Sequence, residues 1–456
     1  MVAKDSPVII VGGGAWGLST ALHMTDSGYS NITVYERATQ IPSPYSAAWD
    51  LNKIVRAEYE DPFYTKLALV SIKLSTIIHD KGPMTLTEQL QEAIQGWKTP
   101  LFGPYFHQTG YVVAATGRAP PKAVEHLEKA LLSVQADPAF ASGIKRLSGA
   151  ADFKDYTWQY SGPLTGFKGY YNRLAGYAHS ADTLKGLWEH CASRGVRFVL
   201  GEEAGKVERL VYQGRKCTGI ATADGKTHQA DLVICALGAH GASLLPDLGK
   251  FVVGRSWSVA HVQLSEEEVN FLRGIPTTNV RDLGFFFEPD PKTRLFKLCP
   301  LGIGYTNTGS DGISLPPPDR LPPPQDYIPA EDEKKLRQLL RETFPWMADR
   351  PFVDQKLCWF ADTADSEYCI DYVPGTDKSV VVLSGDSGHG FKMMPVFGKW
   401  VTELLERGEQ SLSRWQWKNP EKADTNWGDA VSWRIGQGAE LKDLLKAKDK
   451  MIRARL

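Results

Sequence analysis

A chain of 456 residues is too long for one small core, so two domains, or two interleaved ones, are expected. Hydrophobic residues make up 42% and charged residues 23%, an ordinary globular balance, and 13 Trp, 17 Tyr and 18 Phe can line a cavity for a flat ligand. With 52 Lys and Arg against 53 Asp and Glu the net charge is -1, which gives no overall basic field for nucleic acid or an anionic membrane and favours a small-molecule partner.

The opening run PVIIVGGG is too short and too broken by glycine for a membrane span, and no basic leader or cleavage site accompanies it. Its VIIVG portion, residues 8–12, reads as a buried parallel strand, and Ala15 to His23 carries helix formers up to a stop at Gly28. A second strand over Ile32 to Tyr35, ending on Glu36, completes a right-handed strand–helix–strand unit. Between them Gly12-Gly13-Gly14-Ala15-Trp16-Gly17 fits G-x-G-x-x-G in the position the mechanism needs. Gly12 permits the turn, Gly14 lets backbone approach a pyrophosphate, Gly17 lets helix and strand pack, and the helix N-terminus offers N–H groups with positive dipole. Glu36 sits where a carboxylate can accept ribose hydroxyls, and the alternative is a glycine turn with no ligand.

Helices are expected over 122–134 and 181–194, and strands over Tyr111 to Ala114 and Arg197 to Leu200. Asp231-Leu232-Val233-Ile234-Cys235-Ala236-Leu237-Gly238 is a strand ending in Ala-x-Gly. This ending resembles the second cofactor-contacting strand of two-dinucleotide-fold flavoproteins, and with the late turn SGDSGHGFK that resemblance favours FAD over NAD, which the glycine motif alone does not separate. Residues 251–300 change character, with strand-like runs joined by turns, and suggest an antiparallel sheet. The proline-rich ISLPPPDRLPPPQDYIP reads as an extended surface excursion before a helix at about 331–343. The strand in VVVLSGDSGHGFKMMPVFGKWVTELLERG then runs through a glycine turn into a helix, and returns the chain to the first domain.

The six cysteines, at 191, 217, 235, 299, 358 and 369, form no CxxC pair, so a disulfide framework or structural zinc is not expected, and reduced intracellular thiols are the simplest reading. The chain stops at Ala454-Arg455-Leu456, close to a peroxisomal address, so peroxisomal localisation through an import receptor is the expectation, with the cytoplasm otherwise.

Seven segments in order, VIIVGGGAWGLSTALH, SAAWDLNKIVRAEY, PYFHQTGYVVA, GFFFEPD, KLCPLGIGYTN, LCWFADTADSEYCID and SGDSGHGFKMMP, give the chain its resemblance to the D-amino-acid-oxidase-like flavoproteins. Within them it resembles the monomeric sarcosine oxidase and fungal fructosyl amino acid oxidase (amadoriase) branch. The resemblance implies an α/β fold, α+β overall: a Rossmann-type FAD-binding domain built from 1–88, 150–250 and 345–456, interleaved with an antiparallel-sheet substrate domain from 89–149 and 251–344. It carries Cys358 over as a thioether to the flavin 8-methyl carbon, against the bland reading of a buried thiol. It carries Lys297 over as the lysine that activates oxygen above the flavin, against a strand lysine facing solvent. Arg56 and Lys392 match the pair that holds the substrate carboxylate, the former with a planar fork and the latter as a point charge. A lysine at a helix start is disfavoured by the dipole, which adds weight to a functional Lys392.

Lys53, in Asn-Lys, matches a lysine near the flavin face, and Glu288 matches the carboxylate that fructosyl oxidases use for the sugar. The remaining expected cofactor contacts are Ala15, Trp16, Arg37, Ser46, Asp386, Gly388, Gly390 and Phe391. His389 is read as part of the flavin-binding turn, not as a base. Substrate signals divide, since Glu288 points to a fructosyl group whereas Arg56 with RAEYEDPFY points to the sarcosine and saccharopine side. Leu174-Ala175-Gly176-Tyr177-Ala178-His179 departs from the Gly-Ala-Gly-Trp pattern of fructosyl oxidases. The implied reaction is oxidation of the C–N bond of an N-substituted amino acid, giving an imine and hydrogen peroxide, with a dehydrogenase using another electron acceptor as the alternative. A third reading is an NAD enzyme or a scaffold without catalysis.

Overall fold

The computed structural model describes residues 2–68, 96–136, 138, 140, 142–317, 327–419, 434–436 and 438–446. The terminal tripeptide Ala454-Arg455-Leu456 and the centre of the proline-rich stretch lie outside them.

Two large sheets organise the molecule. The first has six strands in the order Cys369–Tyr372, Val380–Ser384, Leu232–Cys235, Val8–Val11, Ile32–Glu36, Arg197–Leu200, all parallel except the first. Val8–Val11, Leu232–Cys235 and Val380–Ser384 are buried at every position, which is why they read as unbroken apolar runs. Helix Ala15–Asp26 covers one face and packs between Ser180–Ser193 and Phe397–Arg407. This is the expected Rossmann-type sheet, with the strand–helix–strand unit at its centre.

The second sheet runs Ala439–Glu440, Tyr305–Thr306, Val252–Gln263, Leu295–Pro300, Gly284–Phe286, Thr277–Val280, Tyr111–Ala115, Lys168–Asn172, Ile144–Leu147, with Val353–Thr363 also paired to Val252–Gln263. It differs from the sequence expectation in two ways. Thr277–Val280 pairs parallel with Tyr111–Ala115, so the sheet is mixed. Lys168–Asn172 and Val353–Thr363, whose segments the sequence grouped with the nucleotide-binding part, hydrogen-bond here instead. Their local patterns are ordinary strand patterns, and only long-range pairing decides which sheet receives them.

Alternation along this sheet separates a cavity face from a core face. Phe286, Phe296 and Leu298 join the core with Leu336, Leu339 and Leu340 of helix Ala330–Thr343. Their neighbours Phe285, Phe287, Lys297 and Cys299 face the cavity, as do Trp257, Val259, Asn279 and Arg281. The helices expected at 122–134 and 181–194 are Pro121–Gln135 and Ser180–Ser193.

Candidate active site

One continuous cavity runs from the carboxyl ends of the first sheet to the underside of the second, and almost every candidate residue lines it. At the near end Gly12 has φ +110°, and a Cβ there would meet the Ala236 carbonyl oxygen at 2.4 Å. A Cβ on Gly17, which packs behind the turn and does not line the cavity, would lie 2.0 Å from the Gly12 carbonyl oxygen. Gly14, by contrast, meets only Ser46 Oγ at 3.5 Å, leaving the approach to its backbone open. Glu36 accepts from Gly13 N and Ala38 N, both at 3.0 Å, one on each carboxylate oxygen. Each oxygen keeps a lone pair for a ribose hydroxyl. Arg37 lies 3.7 Å over the Tyr45 ring and 3.2 Å from His240 Nε2, walling the same end.

The late turn closes the cavity from the other side. Asp386 accepts from Ala361 N at 3.0 Å and Gly388 N at 3.1 Å, and burial pushes its carboxyl up to about 6. Gly390 packs on Trp16, with an added Cβ only 2.6 Å from the indole, and Phe391 lines the wall. His389 uses Nε2 toward the Ser366 carbonyl oxygen at 2.9 Å, which leaves Nδ1 to accept from Tyr368 OH at 2.9 Å. Burial, then the charge of Lys392, holds its imidazole well below the usual range, so it is a neutral structural group. A glycine cradle at a helix N-terminus, a carboxylate at the ribose position and an unbroken cavity leading to a polar apex form a donor set and shape that FAD fits.

The apex centres on a residue the sequence reading missed. Asp50 is fully buried and accepts from Lys297 Nζ at 2.5 Å and from Lys53 Nζ at 2.7 Å. Lys297 is 1% exposed and also donates to the Asn52 carbonyl oxygen at 2.7 Å. Burial lowers the Lys297 pKa and the Asp50 carboxylate opposes that loss, while burial raises the Asp50 pKa and the two lysines more than reverse it. Lys297 therefore faces the cavity, tied to a carboxylate, and not solvent. Cys358 Sγ lies 3.8 Å from Lys53 Nζ at the cavity wall, with no disulfide partner. The acid-x-x-Lys spacing of Asp50 and Lys53 was the available signal for Asp50.

A second polar cluster flanks the apex. Lys392 is 6% exposed and donates to Tyr59 OH at 3.0 Å and to the His389 carbonyl oxygen at 2.9 Å, leaving one N–H for a ligand. Burial, then the charge of Arg56, holds Lys392 well below its ordinary value, so a bound carboxylate is what favours its charged form. Arg56 lies 4.8 Å over the Tyr59 ring and makes no ion pair or hydrogen bond among the described residues. Arg281, also missed, joins them on the cavity wall; it follows strand Thr277–Val280, and nothing in the run TTNVRD marks it as functional.

Glu288 is not brought to this place. It does not line the cavity; its carboxylate accepts from Tyr177 OH at 2.8 Å and Gly274 N at 2.6 Å, while its neighbour Phe287 occupies the wall. Both residues follow strand Gly284–Phe286, and the hydrogen bonds to Tyr177 and Gly274 hold the Glu288 carboxylate.

The family model described as FAD dependent oxidoreductase (DAO) matches residues 7–404. The chain is 30% identical to the L-saccharopine oxidase of Schizosaccharomyces pombe, over 97% of this chain and 98% of that protein. It is 28% identical to the monomeric sarcosine oxidase of a Bacillus species, over 42% of this chain and 46% of that one. Among solved structures it is similar to the deglycating fructosamine oxidase (Amadoriase II) of Aspergillus fumigatus in complex with FSA, with a TM-score of 0.83, 32% identity and 97% of each chain covered.

Proposed function

The chain belongs to the FAD-dependent oxidoreductase family, and from that premise we propose that it is an oxidase of the C–N bond of a secondary amine in an N-substituted amino acid. The observation that carries this reading is that Lys297, held by the buried Asp50, lines one cavity together with the cations Arg56 and Lys392. Relatives that oxidise saccharopine and sarcosine, by their names, support it.

Bound FAD supplies the hydride acceptor for the carbon beside the amine and the route by which two electrons reach oxygen, giving an imine and hydrogen peroxide. The chain supplies the rest. Arg56 and the spare N–H of Lys392 hold the substrate carboxylate and so fix which carbon is presented. The same cations favour the neutral form of the substrate amine, whose lone pair the reaction needs. No base is required to abstract a proton from carbon, in keeping with the neutral, hydrogen-bonded His389. Lys297 places a fixed positive charge where negative charge develops on oxygen.

The reading includes a covalent link. Cys358, on the cavity wall, would hold the flavin through a thioether to its 8-methyl carbon, a two-electron oxidation whose electrons would go to oxygen. Acid precipitation of the holoenzyme is expected to leave the yellow colour in the pellet, and Cys358→Ser to release it into the supernatant. Colour in the wild-type supernatant removes the linkage.

The reaction itself is tested by anaerobic mixing of the holoenzyme with N-methyl amino acids, fructosyl amino acids, saccharopine and pipecolate while following flavin absorbance. Bleaching by one class is the expected result. If none bleaches it while dithionite does, the amine-oxidase reading fails and the cofactor assignment stands.

A further inference from the structure

The cations on the cavity wall outnumber what one substrate carboxylate needs. Arg56 and Lys392 already provide a fork and a point charge for one. Arg281 is a third. It is 5% exposed, its backbone N–H is used by the Ala114 carbonyl, and its guanidinium makes a single long hydrogen bond, 3.4 Å to Asn279 Oδ1. Its Nε has no partner although it is buried. No ion pair involves it among the described residues.

No nearby carboxylate forms an ion pair with it among the described residues, although the charge of Glu60 acts on it and favours its cationic form. Glu58 accepts from Ala57 N at 3.0 Å and Asn172 Nδ2 at 2.6 Å, and Glu60 lies 3.0 Å from His126 Nδ1. A guanidinium carries five donors in a rigid fork, and a buried one left mostly unpaired is costly unless a ligand completes it. Arg281 directly follows the strand that carries Asn279, and both line the cavity with Arg56, whose charge is close enough to press on that of Arg281.

Resting on the amine-oxidase reading, we infer that Arg281 and Asn279 form a second carboxylate subsite beside the Arg56–Lys392 pair, so that the substrate is a secondary amine bearing at least two carboxylates. The subsite adds specificity: a substrate with one carboxylate leaves the Arg281 fork unmatched, whereas a dicarboxylic one is held at two points and cannot rotate about the first.

The test measures binding without turnover. Oxidised holoenzyme is titrated with 2-(methylthio)glutarate and 2-(methylthio)pentanoate, in which sulfur replaces the amine and a methyl replaces the distal carboxylate in the second compound, and the perturbation of flavin absorbance is read. Wild type is expected to bind the dicarboxylate about 30- to 1000-fold more tightly, the range for a buried charge pair. Arg281→Gln should collapse that ratio toward one, and Arg281→Lys should keep part of it. Equal binding of the two compounds by wild type, or a ratio that persists in Arg281→Gln, overturns the subsite. Failure of the amine-oxidase reading would look different, since N-methylglutamate and saccharopine would then leave the flavin unbleached while the thioethers still discriminated.

Discussion

Lys297→Met is expected to slow oxygen-dependent recovery of flavin colour by about 100- to 1000-fold, the usual effect of removing one preorganised electrostatic group from a reacting centre. Lys297 is the cavity-facing cation of strand Leu295–Pro300, held by Asp50 and by the Asn52 carbonyl so that its charge has one position. Methionine matches the length of the stem and removes only the charge. Because Arg56 and Lys392 hold the substrate elsewhere, anaerobic bleaching by the substrate should change far less than reoxidation by air. Stopped-flow measurement of the two half-reactions separates them. An unchanged reoxidation rate would remove Lys297 from that role and favour a dehydrogenase that passes electrons to another acceptor.

Asp50→Asn carries the second large effect, a loss of about 3 to 5 kcal/mol of stability. Asp50 is the shared carboxylate of two lysines, and its Oδ1 also accepts from Leu51 N at 3.0 Å. Asparagine preserves the shape but leaves both ammonium groups without a counter-charge. Asp50 also raises the pKa of Lys297 against burial, so its loss lowers that pKa further. The cationic fraction of Lys297 in the variant then disappears at a lower pH than in wild type. Reoxidation by Asp50→Asn should therefore recover as the pH is lowered, whereas reoxidation by Lys297→Met should not. The double variant Asp50→Asn/Lys297→Met should lose less stability than the sum of the two, because only Lys53 then remains unpaired. Strict additivity would show that the three residues are not coupled.

The legible parts of the site were those whose chemistry is local. The glycine turn between Val8–Val11 and Ala15–Asp26 was readable because strand, turn and helix are consecutive, and steric demands at Gly12 and Gly17 exclude other residues. Arg56, Lys392, Cys358 and Lys297 were legible only through the resemblance, since a lone arginine, lysine or cysteine in a strand or turn has no local signature. The reading failed where a residue's meaning depends on a distant partner. Asp50 meets Lys297, 247 positions away, and Arg281 feels the charge of Arg56 from a segment far away in sequence. Glu288 was a motif match by residue type, and only the fold shows its carboxylate bonded to Tyr177 OH and Gly274 N.

The sequence by itself determined the nucleotide-binding unit, the apolar strands of the first sheet and the presence of a second, β-rich part, because apolar period, glycine placement and turn chemistry act over a few residues. Tertiary structure alone decided which sheet took Lys168–Asn172 and Val353–Thr363, that Lys297 joins Lys53 on Asp50, and that Arg56, Arg281 and Lys392 line one cavity. The physical reason is that charge pairing and burial depend on separations of a few ångströms between residues the chain leaves far apart, and only the closed fold sets those separations.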